Sequence, residues 1–476
     1  MKLDNHKQKL TITCGPASST LEIMKQIIAA GATVIRANFS HGTIQEQEFK
    51  LNLARQAAQE LQVNVSLMLD TKGPEIRVGQ MQNGAVAIEA NQELTILTDS
   101  HSYDNVIGDN TQVTVLYDMS KDLKVGDKVL FDDGKLTSVV THVSEGKVVV
   151  KTVNSHVLKT NKRINLPNVD FSLPFLSQKD IDDVIFGAHY GVDYVAASFV
   201  NSAKNVRELR SLLDANGGQR IQIISKIESQ MGINNIDEII EASDGIMIAR
   251  GDLGLEIPYY EVPYWQTQII RKCRKANKVV IVATQMLDSL ENNPQPTRAE
   301  VSDVYWATNS GADSTMLSNE TAAGKYPVRA VEVMRTINTK AENDYFNSYK
   351  YDKKIKKLLA KLDKSNEFDQ KISRLVNLTR DGEFKYVIIA TPDPKLLHKL
   401  SNFRLNTTFI AALPQASEQT SFGLTSGVKT LFNSAKHYQE LIKNTGHINE
   451  IKSQLVFNPG DKYLLVIQNE ITQGTL

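Results

Sequence analysis

Cysteine is nearly absent: Cys14 and Cys273 stand far apart, in no CxxC pair and with no Cys/His ligand spacing. That excludes a disulfide framework and a cysteine-based metal site, and fits two reduced thiols in or near the core of a cytosolic protein. Neither charge is in excess, with 54 lysines and arginines against 54 aspartates and glutamates. Bulk electrostatics therefore draws the chain toward neither nucleic acid nor an anionic membrane. No apolar run approaches the roughly 20 residues of a membrane span, and MKLDNHKQKL lacks the apolar stretch of a secretory signal. A cytoplasmic protein with no nucleic-acid and no membrane partner is expected. A Walker-type glycine loop, a Ser/His/Asp nucleophile arrangement and internal repeats are missing too.

What is present is a long alternation of strands and helices. At 476 residues the chain exceeds one ordinary core, and two to four domains are expected. LTITCG, TVIRANFS and VSLMLD alternate with helical stretches at Ser19 to Ala30 and Glu46 to Leu61, a βαβαβ pattern that favours a parallel sheet. From about Lys72 to Lys162 only short alternating strands occur, such as AVAIEA, ELTILT, QVTVLY and KVVVKTV, divided by NG, GD, DDG and EG turns. This predicts an inserted all-β domain. Strands then resume at YVAASFV (194–200), IQIISKIE (221–228), GIMIAR (245–250), VVIVATQ (279–285) and STMLSNE (314–320). About eight strand and helix pairs over about 250 residues predict a (β/α)8 TIM barrel. The expected division is a barrel over 1–71 and 163–340, an all-β lid after the third strand over 72–162, and a C-terminal α/β domain over 341–476.

A strand buried on both faces reads as a continuous apolar run, so charges gathered at its C-terminal end mark the rim where barrel chemistry sits. Here the rim collects Arg36, Asn38, Ser40, Asp70, Thr71, Ser198, Lys226, Glu228, Arg250, Gly251, Asp252, Thr284, Ser318 and Glu320. Singly, each has a bland reading as a solvated or capping residue. Jointly they do not, because seven successive strands all end in small or charged polar groups while their interiors stay apolar.

The residue types narrow the chemistry. Glu228 and Asp252 on neighbouring strands can supply two hard oxygens to Mg²⁺. Lys226, two residues before Glu228, is a compact positive charge suited to a transferring phosphoryl group or a developing anion. Gly251 has no Cβ, so a ligand can approach the backbone closely, and Arg36 offers a bidentate fork for phosphate. Asn38, Ser40, Asp70 and Thr71 form an all-oxygen cluster with one formal negative charge, matched to a monovalent cation rather than Zn²⁺; turn and capping hydrogen bonds are the alternative. His41 reads as a hydrogen-bonding strut.

With these residues assembled, the chain closely resembles the pyruvate kinase family. The matching stretches are TCGPAS (13–18), RANFSHG (36–42), DTKGPEIR (70–77), FDDG (131–134), NLP (165–167), VAASF (195–199), ISKIES (224–229), GIMIARGDLGLEIP (245–258), ATQML (283–287), PTRAEVSDV (296–304) and LSNETAAGKYP (317–327). The resemblance implies a phosphotransferase that moves the phosphoryl group of phosphoenolpyruvate to ADP, giving pyruvate and ATP at the last step of glycolysis. It implies Lys226, Thr284 and Arg36 as catalytic residues, with Gly251 and Asp252 joining them on the substrate. Glu228 and Asp252 would hold Mg²⁺ (or Mn²⁺); Asn38, Ser40, Asp70 and Thr71 would hold K⁺. Arg77, Lys162 and Asn38 would contact the nucleotide, the insert would act as a lid, and a homotetramer is expected. In this family the glutamate of DTKGPEIR, here Glu75, goes with potassium dependence.

Departures from the family pattern carry expectations of their own. NKRINLPN has Arg163 and Asn168 where glycines are usual, which puts the hinge geometry and the role of Lys162 in question, and LSNETA has Asn319 at a usual glycine. The C-terminal region has ATPDP (390–394) in place of a Thr/Ser/Gly-rich phosphate loop, with two prolines lacking N–H donors and one aspartate repelling phosphate. It ends at QNEITQGTL, without the tryptophan- and glycine-containing loop that often closes over the effector. Weak or absent fructose bisphosphate activation follows. Two rivals remain at this point. A Mg²⁺-dependent enolate-stabilising lyase on a related barrel would explain the carboxylate pair but not Lys226 or the insert. A catalytically quiet binding homologue would be expected to lose one of Lys226, Glu228, Asp252, Arg36 or Thr284, and none is lost.

Overall fold

Eight β-branched runs close into a parallel barrel. In the computed structural model, which describes residues 1–169, 172–468 and 470–475, they are β1 (Lys9–Thr13), β2 (Val34–Asn38), β3 (Ser66–Asp70), β4 (Tyr194–Ala197), β5 (Gln222–Ile227), β6 (Gly245–Ala249), β7 (Val279–Ala283) and β8 (Ser314–Leu317). Each strand pairs with its sequence neighbours, and β1 closes on β8 through Lys9 to Ile12 beside Ser314 to Leu317. Val34, Met68, Tyr194, Ile224, Met247, Ile281 and Met316 fill the interior as one cluster. Their sequence neighbours Ile35, Leu69, Val195, Ile223, Ile246, Val280 and Leu317 face the helices in a second cluster. This two-sided burial is why the strands read as unbroken apolar runs. Capping boxes, Thr43 with Glu46 and Thr297 with Glu300 among them, start the helices that follow.

The strands are shorter than the apolar runs suggest. β4, β5, β7 and β8 stop before Ser198, Glu228, Thr284 and Ser318, so most of the polar rim lies just past the strands, in the turns. Between β3 and β4 the chain builds a seven-stranded sheet, from Ile76–Arg77 at one edge to Gln112–Thr114 at the other, and a two-stranded sheet. It packs around its own core of Ile96, Val129, Phe131, Val140, Val148 and Ile164. The insert also carries a six-residue helix, Ser100–Asn105. Its last strand, Arg163–Asn165, pairs with both Ile76–Arg77 and Lys128–Phe131, which places Arg163 on the insert sheet. Asn168 has φ 62°, a left-handed conformation that asparagine tolerates nearly as glycine does. Arg163 lies in ordinary extended backbone, so a side chain there costs nothing conformationally.

A five-stranded sheet forms the C-terminal region, parallel except for the edge strand Glu470–Thr475. The 20-residue helix Pro327–Phe346 reaches it from the barrel. Val331, Met334 and Ile337 pack in the barrel core, while Tyr345 enters the C-terminal core. Both cysteines are buried free thiols. Among the described residues no helix is long and apolar enough to cross a membrane.

Candidate active site

The C-terminal ends of β2, β3 and β5, with the segments that follow β5 and β6, bring buried charges together. Asp70 ends β3 beside Asn38 of β2; its Oδ2 accepts from Arg36 Nε at 2.6 Å and its Oδ1 from Lys226 Nζ at 3.0 Å. Arg36 also donates through Nη1 to Thr13 Oγ1 at 2.8 Å. Among the described residues, its Nη2 has no protein partner. Lys226 further donates to Ser198 Oγ at 2.8 Å and lies 3.0 Å from Glu228 Oε1. Burial disfavours the Lys226 charge, yet Asp70 and Glu228 outweigh it and hold the ammonium firmly protonated. Burial also opposes ionisation of Asp70, but Arg36 and Lys226 keep its carboxyl below the usual range. The result is a fixed cation at the barrel mouth whose position two carboxylates and a hydroxyl define.

Glu228 and Asp252 follow paired strands, β5 and β6. Glu228 is wholly buried, and its Oε2 accepts the Phe199 N–H at 2.7 Å. Burial, reinforced by the nearby Asp252 charge, pushes the Glu228 carboxyl up, against the pull of Lys226 and Arg163. Burial opposes the Asp252 charge as well, but Arg163 and Lys226 hold its carboxyl down. Two close, desolvated carboxylates with hard oxygen donors fit a divalent cation, which relieves their mutual repulsion. Arg163 approaches this pair from the insert. Its Nη1 lies 2.5 Å from Asp252 Oδ1, its guanidinium stands 4.8 Å over the Phe199 ring, and its buried Nη2 has no partner among the described residues.

Gly251 and Thr284 meet across β6 and β7. The Gly251 N–H donates to Thr284 Oγ1 at 2.7 Å, and a Cβ on Gly251 would sit only 3.3 Å from that oxygen. Thr284 and Gln285 hold φ of 69° and 53°, an uncommon conformation for a β-branched residue and a form of strain that clusters at functional sites. Arg250 braces this turn. It donates through Nη2 to the carbonyls of Thr284 at 2.8 Å and Gln285 at 3.1 Å, and through Nη1 to Asp303 at 2.7 Å. It is thus a support for Thr284 and not a member of the charged cluster.

Asn38, Ser40 and Thr71 lie next to Asp70 with their hydrogen bonds turned locally. Asn38 Oδ1 accepts the Ser40 N–H at 3.1 Å, and Thr71 Oγ1 accepts the Ser198 N–H at 3.0 Å. With Asp70 they remain an all-oxygen donor set, which fits a large monovalent cation. Arg77 and Lys162 stand apart on the insert. Arg77 binds Glu75 Oε2 through Nε at 3.0 Å and Nη2 at 2.8 Å, while Lys162 Nζ pairs with Asp132 at 2.8 Å. Thr13, Phe199 and the Arg163 contact were not singled out from sequence. TCGPAS, VAASF and NKRINLPN were the signals, but none tells where a side chain points.

Known proteins resemble this chain over most of its length. A family model for the pyruvate kinase barrel domain matches residues 5–331. A pyruvate kinase of Mycoplasma pneumoniae is 41% identical over 502 aligned positions, covering 94% of this chain and 97% of the relative. One of Mycoplasma genitalium is 42% identical over 457 positions, covering 89% of each. A solved pyruvate kinase from Cryptosporidium parvum superposes with a TM-score of 0.88 at 33% identity, covering 99% of this chain and 96% of that one. On sequence, fold and the charged barrel mouth together, the chain belongs to the pyruvate kinase family.

Proposed function

We propose that this enzyme transfers the phosphoryl group of phosphoenolpyruvate to ADP, giving pyruvate and ATP, with Mg²⁺ or Mn²⁺ and K⁺ as cofactors. The observation that carries the residue assignment is the buried Lys226 ammonium, fixed between Asp70, Ser198 and Glu228 at 2.8 to 3.0 Å. Such a preorganised charge stabilises an enolate oxygen and a transferring phosphoryl without reorganising during the reaction. Arg36 reaches the phosphate through its unpaired nitrogen. The Gly251 and Asp252 backbone N–H groups take the substrate carboxylate, for which Gly251 exchanges its bond to Thr284 Oγ1. Thr284 stands beside the carbon that takes up a proton, delivered through water.

Glu228 and Asp252 are the residues that would hold the divalent cation, which when bound neutralises phosphoryl and enolate charge. Asn38, Ser40, Asp70 and Thr71 would hold K⁺. Arg77 and Lys162, with Asn38, contact the nucleotide by leaving Glu75 and Asp132, so the insert, whose sheet runs past the expected boundary at 162 to include Arg163–Asn165, works as a lid on the barrel. A lactate-dehydrogenase-coupled assay with phosphoenolpyruvate, ADP, Mg²⁺ and K⁺ tests the reading directly. Steady pyruvate formation is expected, and its absence with folded protein refutes the assignment.

Arg163 has a measurable effect in this scheme. A guanidinium on Asp252 repels a divalent cation by an energy worth roughly tenfold in affinity at a partly desolvated site. Arg163→Gly should therefore tighten Mn²⁺ binding, read by electron paramagnetic resonance in the absence of substrates. Equal or weaker binding would show that the arginine does not compete for that carboxylate.

The turn at 390–394 is poorly suited to a bisphosphate. Asp393 Oδ1 accepts the Lys395 N–H at 2.9 Å and so caps the helix Pro394–Asn402 with its own carboxylate. Fructose bisphosphate is expected to leave the half-saturating phosphoenolpyruvate concentration unchanged, whereas a several-fold drop would contradict this. A homotetramer is supported by the exposed Tyr259, Tyr260 and Tyr264 around the start of helix Val262–Ala276, a surface fit for burial against a second copy. Sedimentation should give the mass of four chains, and a monomer would exclude it.

A further inference from the structure

We propose a zinc site in the C-terminal region, formed by His437, His447 and Glu450. His437 lies on the helix Ser434–Lys443, and His447 closes the short turn Thr445–His447 that leads into the helix Ile448–Ser453. Their rings face each other with Nδ1 of His437 2.8 Å from Nε2 of His447. The outer nitrogen of each ring is also engaged. His437 Nε2 lies 2.9 Å from the Gln454 side-chain amide, and His447 Nδ1 lies 3.4 Å from the Glu450 carboxylate. One ligand atom from each of His437, His447 and Glu450 falls within 4.8 Å of the others.

Two imidazole nitrogens this close share a single proton, and a metal ion can take that proton's place. When Nδ1 ligates, Nε2–H must donate, and the Gln454 amide offers its oxygen after a half-turn, since its nitrogen and oxygen are interchangeable in position. This is the outer hydrogen bond that orients metal-bound histidines. Tetrahedral bonds of about 2.0 Å need the nitrogens to part to about 3.3 Å, a small ring rotation that the partly exposed His447 allows. Glu450 is solvent-exposed; it supplies the third ligand by turning from His447 Nδ1 toward the ion, and water completes the shell. Lys436 Nζ, 3.6 Å from Glu450 Oε1, is the competing charge and is itself exposed. Imidazole and carboxylate donors without thiolate select Zn²⁺ over Cu⁺, and two nitrogens disfavour Mg²⁺. The ion would clamp two helices together, on no strand of the barrel.

The test uses the full-length protein, stripped with chelator and returned to millimolar Mg²⁺ so that the carboxylates of the barrel mouth are occupied. Zinc titration by calorimetry should give one site per chain at micromolar affinity or tighter, and Co²⁺ should give visible absorption of a tetrahedral complex. His447→Gln and the surface variant Glu450→Gln should each weaken zinc at least tenfold while leaving turnover with Mg²⁺ and K⁺ unchanged. No stoichiometric binding in Mg²⁺, or binding that both variants retain, overturns the site.

Discussion

Lys226→Met is expected to lower kcat by about 10³-fold or more, on the scale seen when a charge aimed at a reacting oxygen is removed. The loss should fall on kcat more than on KM, because Arg36 and the Gly251 backbone still bind substrate. Methionine keeps the volume but leaves Asp70 and Glu228 facing each other without the ammonium that lay 3.0 Å from each. Breaking a buried pair this way costs about 3–5 kcal/mol of stability. Thermal denaturation must therefore accompany the kinetics, and Mn²⁺, which can partly replace the lost charge, should raise the variant's melting temperature more than that of the parent. A folded Lys226→Met enzyme within tenfold of the parent would remove Lys226 from the chemistry.

Omitting K⁺, with tetramethylammonium as the replacement salt, is expected to lower kcat by on the order of 10²-fold, since one unit charge beside a dry site is worth several kcal/mol. The cause lies in what the protein does not bring itself. Glu75 is held by Arg77 at 2.8 Å, so this stretch adds a neutralised pair and no net positive charge near the oxygen set of Asn38, Ser40, Asp70 and Thr71. A K⁺ titration should restore activity with saturation. Full turnover in buffer free of both K⁺ and Na⁺, with Mg²⁺ present, would contradict the assignment.

Much of the barrel was legible because burial on both faces writes itself into sequence as continuous β-branched runs, and because polar residues cluster where those runs stop. Gly251 and Lys226 were found this way. The contact of Arg163 with Asp252 was not, since it joins segments far apart in the chain and follows no helical or strand period. The left-handed Thr284 was equally hidden: threonine is not a residue that announces positive φ, and it is held by the braces from Arg250 together with the Gly251 N–H. The pairing of His437 with His447 depends on a turn between two helices whose geometry no spacing rule specifies.

The helix Pro327–Phe346 ties together more than it separates. A continuous rod of 20 residues, roughly 30 Å long, is anchored at one end in the barrel core and at the other in the C-terminal core. A twist of the C-terminal region must therefore pull on the helices that back β1 and β8, or else break the rod. Among the described residues the insert has no such helix, and it meets the barrel mouth through side chains such as Arg163 and Asn165, which donates to Glu256 at 3.1 Å. The barrel and the C-terminal region thus share one continuous helix between their two cores, and the insert does not.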